Sequence, residues 1–270
     1  MALHLRPSLP QRVVCLTEET TETLYALGAG DLIVGVSGFT VRPPEARKKP
    51  KVSTFLEANI DAILALQPDV VLAWSDLQAS ICAELIRQGV EVICFNHRSV
   101  EGILGMILRL GALVGKAAEA ERYVEQLLEG LHRAARRGMQ RRRRPRVYFE
   151  EWYDPLISGI RWVSELIRLC GGEDVFEELS RYPDAKRRII ADPEEVVRRA
   201  PDIILVSWCG KAFKPERMRR RPGWETIPAV RSGHLYEIPA SIILQPGPAA
   251  LTDGVQRILE IFDRWEQQQP

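Results

Sequence analysis

Short apolar, β-branched runs alternate along the first half of the chain with stretches whose apolar residues recur every three to four positions. The runs at 12–16, 32–36, 70–73 and 91–95 predict strands, and 20–27, 60–66, 77–88 and 100–114 predict helices. Short apolar strands separated by helices are the pattern of a mainly parallel sheet covered on both faces. The alternation then stops. Residues 116–137 contain no proline and place Ala117, Ala120, Tyr123, Val124, Leu127, Leu128 and Leu131 on one helical face. A helix of that length runs roughly 33 Å, and Gly138 followed by Pro145 is expected to close it.

After Pro145 the alternation resumes, with strands predicted at 146–150, 203–207 and 234–238 and helices at 162–170, 193–200 and 249–265. The expected fold is α/β: two Rossmann-like lobes with mainly parallel sheets, 1–115 and 141–270, joined by one long rigid α-helix, 116–140. An internal echo supports two copies of one unit. The segment DAILALQPDVVLA from Asp61 matches EEVVRRAPDIILV from Glu194 at a constant offset of 133. Each copy is an acid opening a short helix, a Pro-Asp turn and a buried strand, and a ligand is expected in the cleft between the lobes.

Composition narrows the function. The 37 Lys+Arg against 36 Asp+Glu give a net charge of +1, which argues against electrostatic capture of nucleic acid or anionic membrane. The arginine runs at 141–144 and 217–221 lack interleaved aromatics and are expected to be solvated helix exits. No apolar run reaches the roughly 18 residues of a spanning helix. The opening MALHLRPSLPQRVV has no apolar core of a secretory signal. A cytoplasmic location is expected for the chain as it stands, and a periplasmic or cell-surface one if a leader precedes it. Five scattered cysteines make no C-x-x-C pair and predict neither disulfides nor zinc, and Cys15 and Cys94 are expected to be buried.

Patterns for catalysis are missing: no phosphate-binding loop, no complete G-x-G-x-x-G, no G-x-S-x-G, and no paired spacing among His4, His97, His132 and His234. His4 is expected in an N-terminal tail. What stands out is aromatic residues near strand ends. Ligands of open α/β sheets bind beyond the carboxyl ends of the strands, which nominates Phe55, Trp74, Trp152, Tyr153 and Trp208. Core packing is the other reading of each. Trp162, Trp224 and Trp265 lie on predicted helices and are expected in the core. Gln245 precedes the stiff Pro246-Gly-Pro248 loop, which either opens the last helix or lines the cleft.

Several phrases resemble the class III, helical-backbone substrate-binding proteins of ABC importers. They are RVVCLTEETTETLYALG from Arg12, DLIVG from Asp31, PPEA from Pro43, KVSTF from Lys51, DAILALQPDVVLAW from Asp61 and RPGWETIPAVRSGHLY from Arg221. The resemblance spans about 12–265 and is strongest to the cobalamin-binding branch. It implies a non-catalytic monomer that holds cobalamin or a related corrinoid as ligand, without a bound metal or covalent cofactor of its own. Phe55, where the family has tryptophan, and Trp74 would cradle the ligand. Asp61, where the family has glutamate, and Glu194 would dock on arginines of an ABC permease dimer. Two alternatives stay open. One is a ferric siderophore on the same fold, with Arg42, Arg161 and Arg187 as candidate cations; the other is a cytosolic corrinoid-handling protein or enzyme.

Overall fold

Five strands of the first half lie side by side in the order β3-β2-β1-β4-β5, every neighbouring pair parallel. They are β1 (Val13–Cys15), β2 (Ile33–Ser37), β3 (Lys51–Ser53), β4 (Val70–Trp74) and β5 (Val92–Phe95). The structure is a computed structural model that describes residues 8–269; His4 lies outside the described residues. Val13, Val14, Cys15 and Val70 to Ala73 are wholly buried, because helices cover both faces of the central strands. Strand β3 escaped the sequence reading because Lys-Val-Ser offers a single apolar residue. Cys94 corrects another expectation. It is exposed, because β5 is the edge strand, whereas Cys15 on the central strand is buried.

The second sheet has the order β10-β9-β6-β7, with β8 also pairing β6. Its strands are β6 (Arg146–Tyr153), β7 (Leu156–Ser158), β8 (Glu173–Asp174), β9 (Ile203–Val206) and β10 (Leu235–Glu237). All pairs are parallel except the β6–β7 hairpin, which extends β6 three residues beyond the predicted Glu150. The described residues form two compact units. One runs to His97 and takes in Glu101–Gln126; the other takes in Arg98–Val100 and continues from Leu127.

The echo in the sequence is a repeat of bonds. In the first unit Asp69 Oδ2 accepts from the backbone N–H of Arg12 at 2.8 Å, and the Arg12 guanidinium donates to the carbonyl of Leu66 at 2.6 Å. In the second, Asp202 Oδ2 accepts from Arg146 N–H at 2.9 Å and Arg146 donates to the carbonyl of Arg199 at 2.8 Å. Each arginine thereby satisfies a carbonyl left open at a helix C-terminus. Each Pro-Asp turn follows a residue of positive φ, Gln67 at 46° and Ala200 at 43°.

The helix Ala117–Met139 carries its apolar face as the pattern requires, with Ala120, Val124, Leu127 and Leu131 buried. It runs through Gly138 rather than ending there. Gly138 serves a close approach instead: a Cβ on it would sit 2.6 Å from the carbonyl oxygen of Leu169, and Gly171 (φ +90°) packs against its backbone. One member of each arginine run departs from expectation. Arg141 is 2% exposed, pairs with Asp263 at 2.8 Å and lies over the Phe262 ring. Arg221 is drawn in by a buried carboxylate, described below. The other arginines of the runs, Arg142 to Arg144, Arg217, Arg219 and Arg220, are exposed as expected. Trp162, Trp224 and Trp265 are buried, as predicted.

Gly138→Ala forces backbone apart at the Leu169–Gly171 turn. It should destabilise the fold by about 1–3 kcal/mol in chemical denaturation, with the helical circular-dichroism signal retained. Unchanged stability would show that the turn yields freely.

Candidate functional site

A sheet whose strands all point one way gathers their carboxyl ends, and the loops that leave them, at a single edge. In the first unit that edge is stitched across four strands. Gly38 N–H donates to Ser53 O at 2.7 Å, and Ser75 N–H to Phe95 O at 2.7 Å. Gln78, wholly buried, bridges two loops: its Oε1 accepts from Trp74 N–H at 3.0 Å and its Nε2 donates to Phe55 O at 3.0 Å. Phe55 is half-buried and its ring lies 6.1 Å from that of Trp74. Trp74 is only 6% exposed; its indole Nε1 donates to His97 O at 3.2 Å. Phe55 is thus the outer ring and Trp74 the inner one.

The second unit repeats this layering with more aromatics. Trp152 and Tyr153 end strand β6 and are half-buried, with ring centroids 5.0 Å apart. The hairpin places them on the strand itself, paired with Ile157 and Leu156, rather than in a loop after it. Tyr153 lies 4.8 Å from Trp208, and Trp208 meets Phe213 edge-on at 5.4 Å. Trp208 is 3% exposed. Its Nε1 donates to Glu150 Oε1 at 3.1 Å. Gln245, on the loop after the helix Ala240–Ile243, is half-buried and its carbonyl accepts from Gly247 N–H. The structure therefore brings Phe55 with Trp74, and Trp152 and Tyr153 with Trp208.

The acids stand on the same edges. Asp61 and Glu194 occupy the first turns of Ile60–Ala65 and Glu194–Arg199, helices that lead back into β4 and β9. Neither is the residue that caps its helix. Asn59 accepts from Ala62 N–H at 2.9 Å, and Asp192 accepts from Glu194 N–H at 3.0 Å. Both carboxylates are exposed; Glu194 has Arg198 at 3.8 Å. Glu194 also borders an open groove of about 600 Å³ lined by Tyr153, Asp154, Ile190, Arg221 and Trp224.

Other residues of these edges carried no legible signal. Phe39, Leu56 and Leu77, more than half exposed, follow β2, β3 and β4 as single apolar residues in polar loops. Such isolated residues are ordinary at surfaces, and only the parallel topology shows that they share an edge. Glu19, after β1, is 1% exposed. Its Oε1 accepts from Thr17 Oγ1 at 2.5 Å, and no hydrogen bond reaches its Oε2 among the described residues. Burial, reinforced by the nearby Glu18 and Glu22, pushes its carboxyl up to about 8. Among the described residues no three His, Cys, Asp or Glu side chains come together as a metal ion would need, and no helix is long and apolar enough to cross a membrane.

Comparison with known proteins agrees with this architecture. Residues 13–242 match the family described as periplasmic binding protein. The chain is 28% identical to the Vitamin B12-binding protein of Vibrio parahaemolyticus over 261 residues, which cover 95% of this chain and 90% of that one. Among solved structures, the periplasmic Vitamin B12 binding protein BtuF of Vibrio cholerae superposes with a TM-score of 0.77 at 23% identity, covering 97% of this chain and 100% of that one. A periplasmic heme binding protein from Pseudomonas aeruginosa superposes with a TM-score of 0.81 at 20% identity, covering 94% and 93%. Those two likenesses establish the fold.

Glu19 gives the fold a pH dependence of definite sign. Its folded carboxyl holds the proton up to about pH 8, against an ordinary value of 4.5. The stability linked to that proton is therefore full below the ordinary value and is lost as pH rises through about 8. Glu19→Gln keeps the neutral shape and should flatten the fall in denaturation free energy over that range. A variant with the parent's pH profile would place the slope elsewhere.

Proposed function

The chain belongs to the periplasmic binding protein family, in its class III form, and on that premise we propose that it is the corrinoid-binding component of an ABC importer. The ligand, cobalamin or a precursor, is held without chemical change by aromatic faces at the carboxyl edges of the sheets. Phe55 in one unit and Trp152 and Tyr153 in the other are the outer rings, with Trp74 and Trp208 beneath them and Gln245 as a polar contact. A corrin ring presents a broad face with amide edges, which suits aromatic side chains and backbone groups. Curated relatives named for vitamin B12 binding support the ligand class.

One observation favours the corrinoid over a ferric siderophore. The three arginines named from the sequence as candidate cations for an anionic siderophore each pair with a nearby carboxylate: Arg42 with Glu22 at 3.2 Å, Arg161 with Glu165 at 2.7 Å and Arg187 with Asp184 at 2.5 Å. An anion would share these arginines with their carboxylates, whereas a corrinoid has no need of them. For the permease, Asp61 and Glu194 remain the docking acids. Both carboxylates are exposed and neither is used to bond its own helix N-terminus, so arginines of a partner can reach them, at Glu194 in exchange for the 3.8 Å contact with Arg198.

Cyanocobalamin, cobinamide, hemin and a ferric catecholate should be titrated against tryptophan fluorescence, with co-elution and mass analysis of the recovered ligand. Stoichiometric binding of an unaltered corrinoid is expected; preference for the catecholate or hemin overturns the reading. Phe55→Ala and Trp152→Ala should each weaken cyanocobalamin by about threefold to tenfold. Replacing Asp61 and Glu194 together by alanine should leave cyanocobalamin affinity intact and abolish uptake in reconstituted vesicles. Loss of ligand affinity in that variant would assign the acids to the binding site instead.

A further inference from the structure

Strand β6 carries two adjacent acids, Glu150 and Glu151, immediately before Trp152 and Tyr153. At this point the ladder with β7 slips: Glu150 faces Ser158 while Trp152 faces Ile157, a bulge. Bulges bend a strand and re-aim the side chains beyond them. This one is pinned on two sides by arginines. The Arg188 guanidinium, 2% exposed, holds Glu151 through two bonds of 2.6 and 2.9 Å. Arg221 holds Glu150 through two bonds of 2.5 and 3.0 Å and stacks over Trp224 at 4.4 Å.

Glu150 is wholly buried and collects two more donors, the Trp208 indole N–H at 3.1 Å and the Tyr148 hydroxyl at 3.2 Å. Trp208 in turn supports Tyr153, and Arg217 covers that ring at 5.2 Å. A buried carboxylate–guanidinium pair is weak support for stability, since apolar residues of similar volume fill such space as well. What the pair supplies is direction: four donors converge on one carboxylate, which is thereby held where it accepts the Trp208 N–H.

We propose that Glu150 is a positioning residue for the ligand site: acting through Trp208, it holds Tyr153 and Trp152 in their binding pose before the ligand arrives. The proposal rests on the corrinoid-binding reading and deepens it. Trp208 then works as the support of the outer pair, and Arg221 as the counter-ion that keeps Glu150 in place. Leaving the outer rings free would add the cost of ordering them on binding, about threefold to tenfold in affinity for each side chain immobilised.

The test is a double-mutant cycle of Glu150→Gln with Tyr153→Ala, read as cyanocobalamin affinity. Glu150→Gln should weaken binding by about threefold to tenfold when Tyr153 is present. It should have less than about a twofold effect when Tyr153 is alanine. An equal loss in both backgrounds, or none in a folded Glu150→Gln variant, overturns the proposal. If that variant does not fold, Trp208→Phe keeps a stacking ring without the indole N–H and is carried through the same cycle, with the same outcomes. A second readout needs no ligand. In protein labelled with 5-fluorotryptophan, the Trp152 resonance should be sharp in the parent and broadened or split in Glu150→Gln. An unchanged Trp152 resonance also overturns the proposal. Failure of the parent to bind any corrinoid sinks the functional reading instead and leaves the fluorine spectrum to decide the positioning claim.

Discussion

Both units hang on the same lock between an arginine that opens the first strand and an aspartate that follows a proline. Asp69 and Asp202 each accept from the backbone of that arginine, and each arginine reaches back to the open carbonyls of the helix before the turn. The lock fixes three things together: the register of β1 against β4 and of β6 against β9, the point where the helix stops, and the direction in which it entered. A helix held by its C-terminus at the amino edge of a sheet must have its N-terminus at the carboxyl edge. That is why the acids opening these helices and the aromatics ending the strands arrive on one side of each unit.

Given that edge, the remaining question is how large rings are kept still on it. The indole nitrogens of Trp74 and Trp208 are both tied down while the rings themselves are buried, and a less buried ring rests on each. Burial of the inner tryptophan supplies the apolar contact, and its bonded N–H removes the rotation that burial alone would permit. The outer rings keep the accessible face. Under the proposed function, a platform built this way would need little rearrangement when a ligand arrives, in keeping with sites that are largely formed in advance.

Periodicity and turn chemistry made the two α/β units, the long helix and the repeat legible from the sequence, because parallel strands buried on both faces read as continuous apolar runs. Lys51–Ser53 and the β6–β7 hairpin were not legible, since Lys-Val-Ser offers one apolar residue and Leu-Ile-Ser two, too few to stand out as an apolar run. The aromatic clusters were legible as residues near strand ends, Phe55, Trp74, Trp152, Tyr153 and Trp208, but their layering was not. Which of two aromatics lies inside depends on partners remote in the chain, such as His97 for Trp74 and Glu150 for Trp208. The arginine runs misled for the same reason. A run of like charges reads as solvent-facing until a distant carboxylate claims one member, as Glu150 claims Arg221 and Asp263 claims Arg141.

The two units answer the problem of a buried carboxyl differently, and the difference bears on their edges. Glu19 has a threonine hydroxyl and neighbouring acids, so its burial is met by holding the proton. Glu150 is also pushed up by burial, but Arg221, Tyr148 and Trp208 pull the other way by bonding its charged form. A neutral acid orients few donors, whereas a carboxylate beside a guanidinium orients several, with charge-assisted bonds roughly twice as strong as neutral ones. The inner tryptophan of the first unit leans on a backbone carbonyl; that of the second leans on the carboxylate. Under the proposed function, the second unit is then the stiffer platform, and adjustment to ligands of different shape would fall to Phe55 and the apolar loops around it.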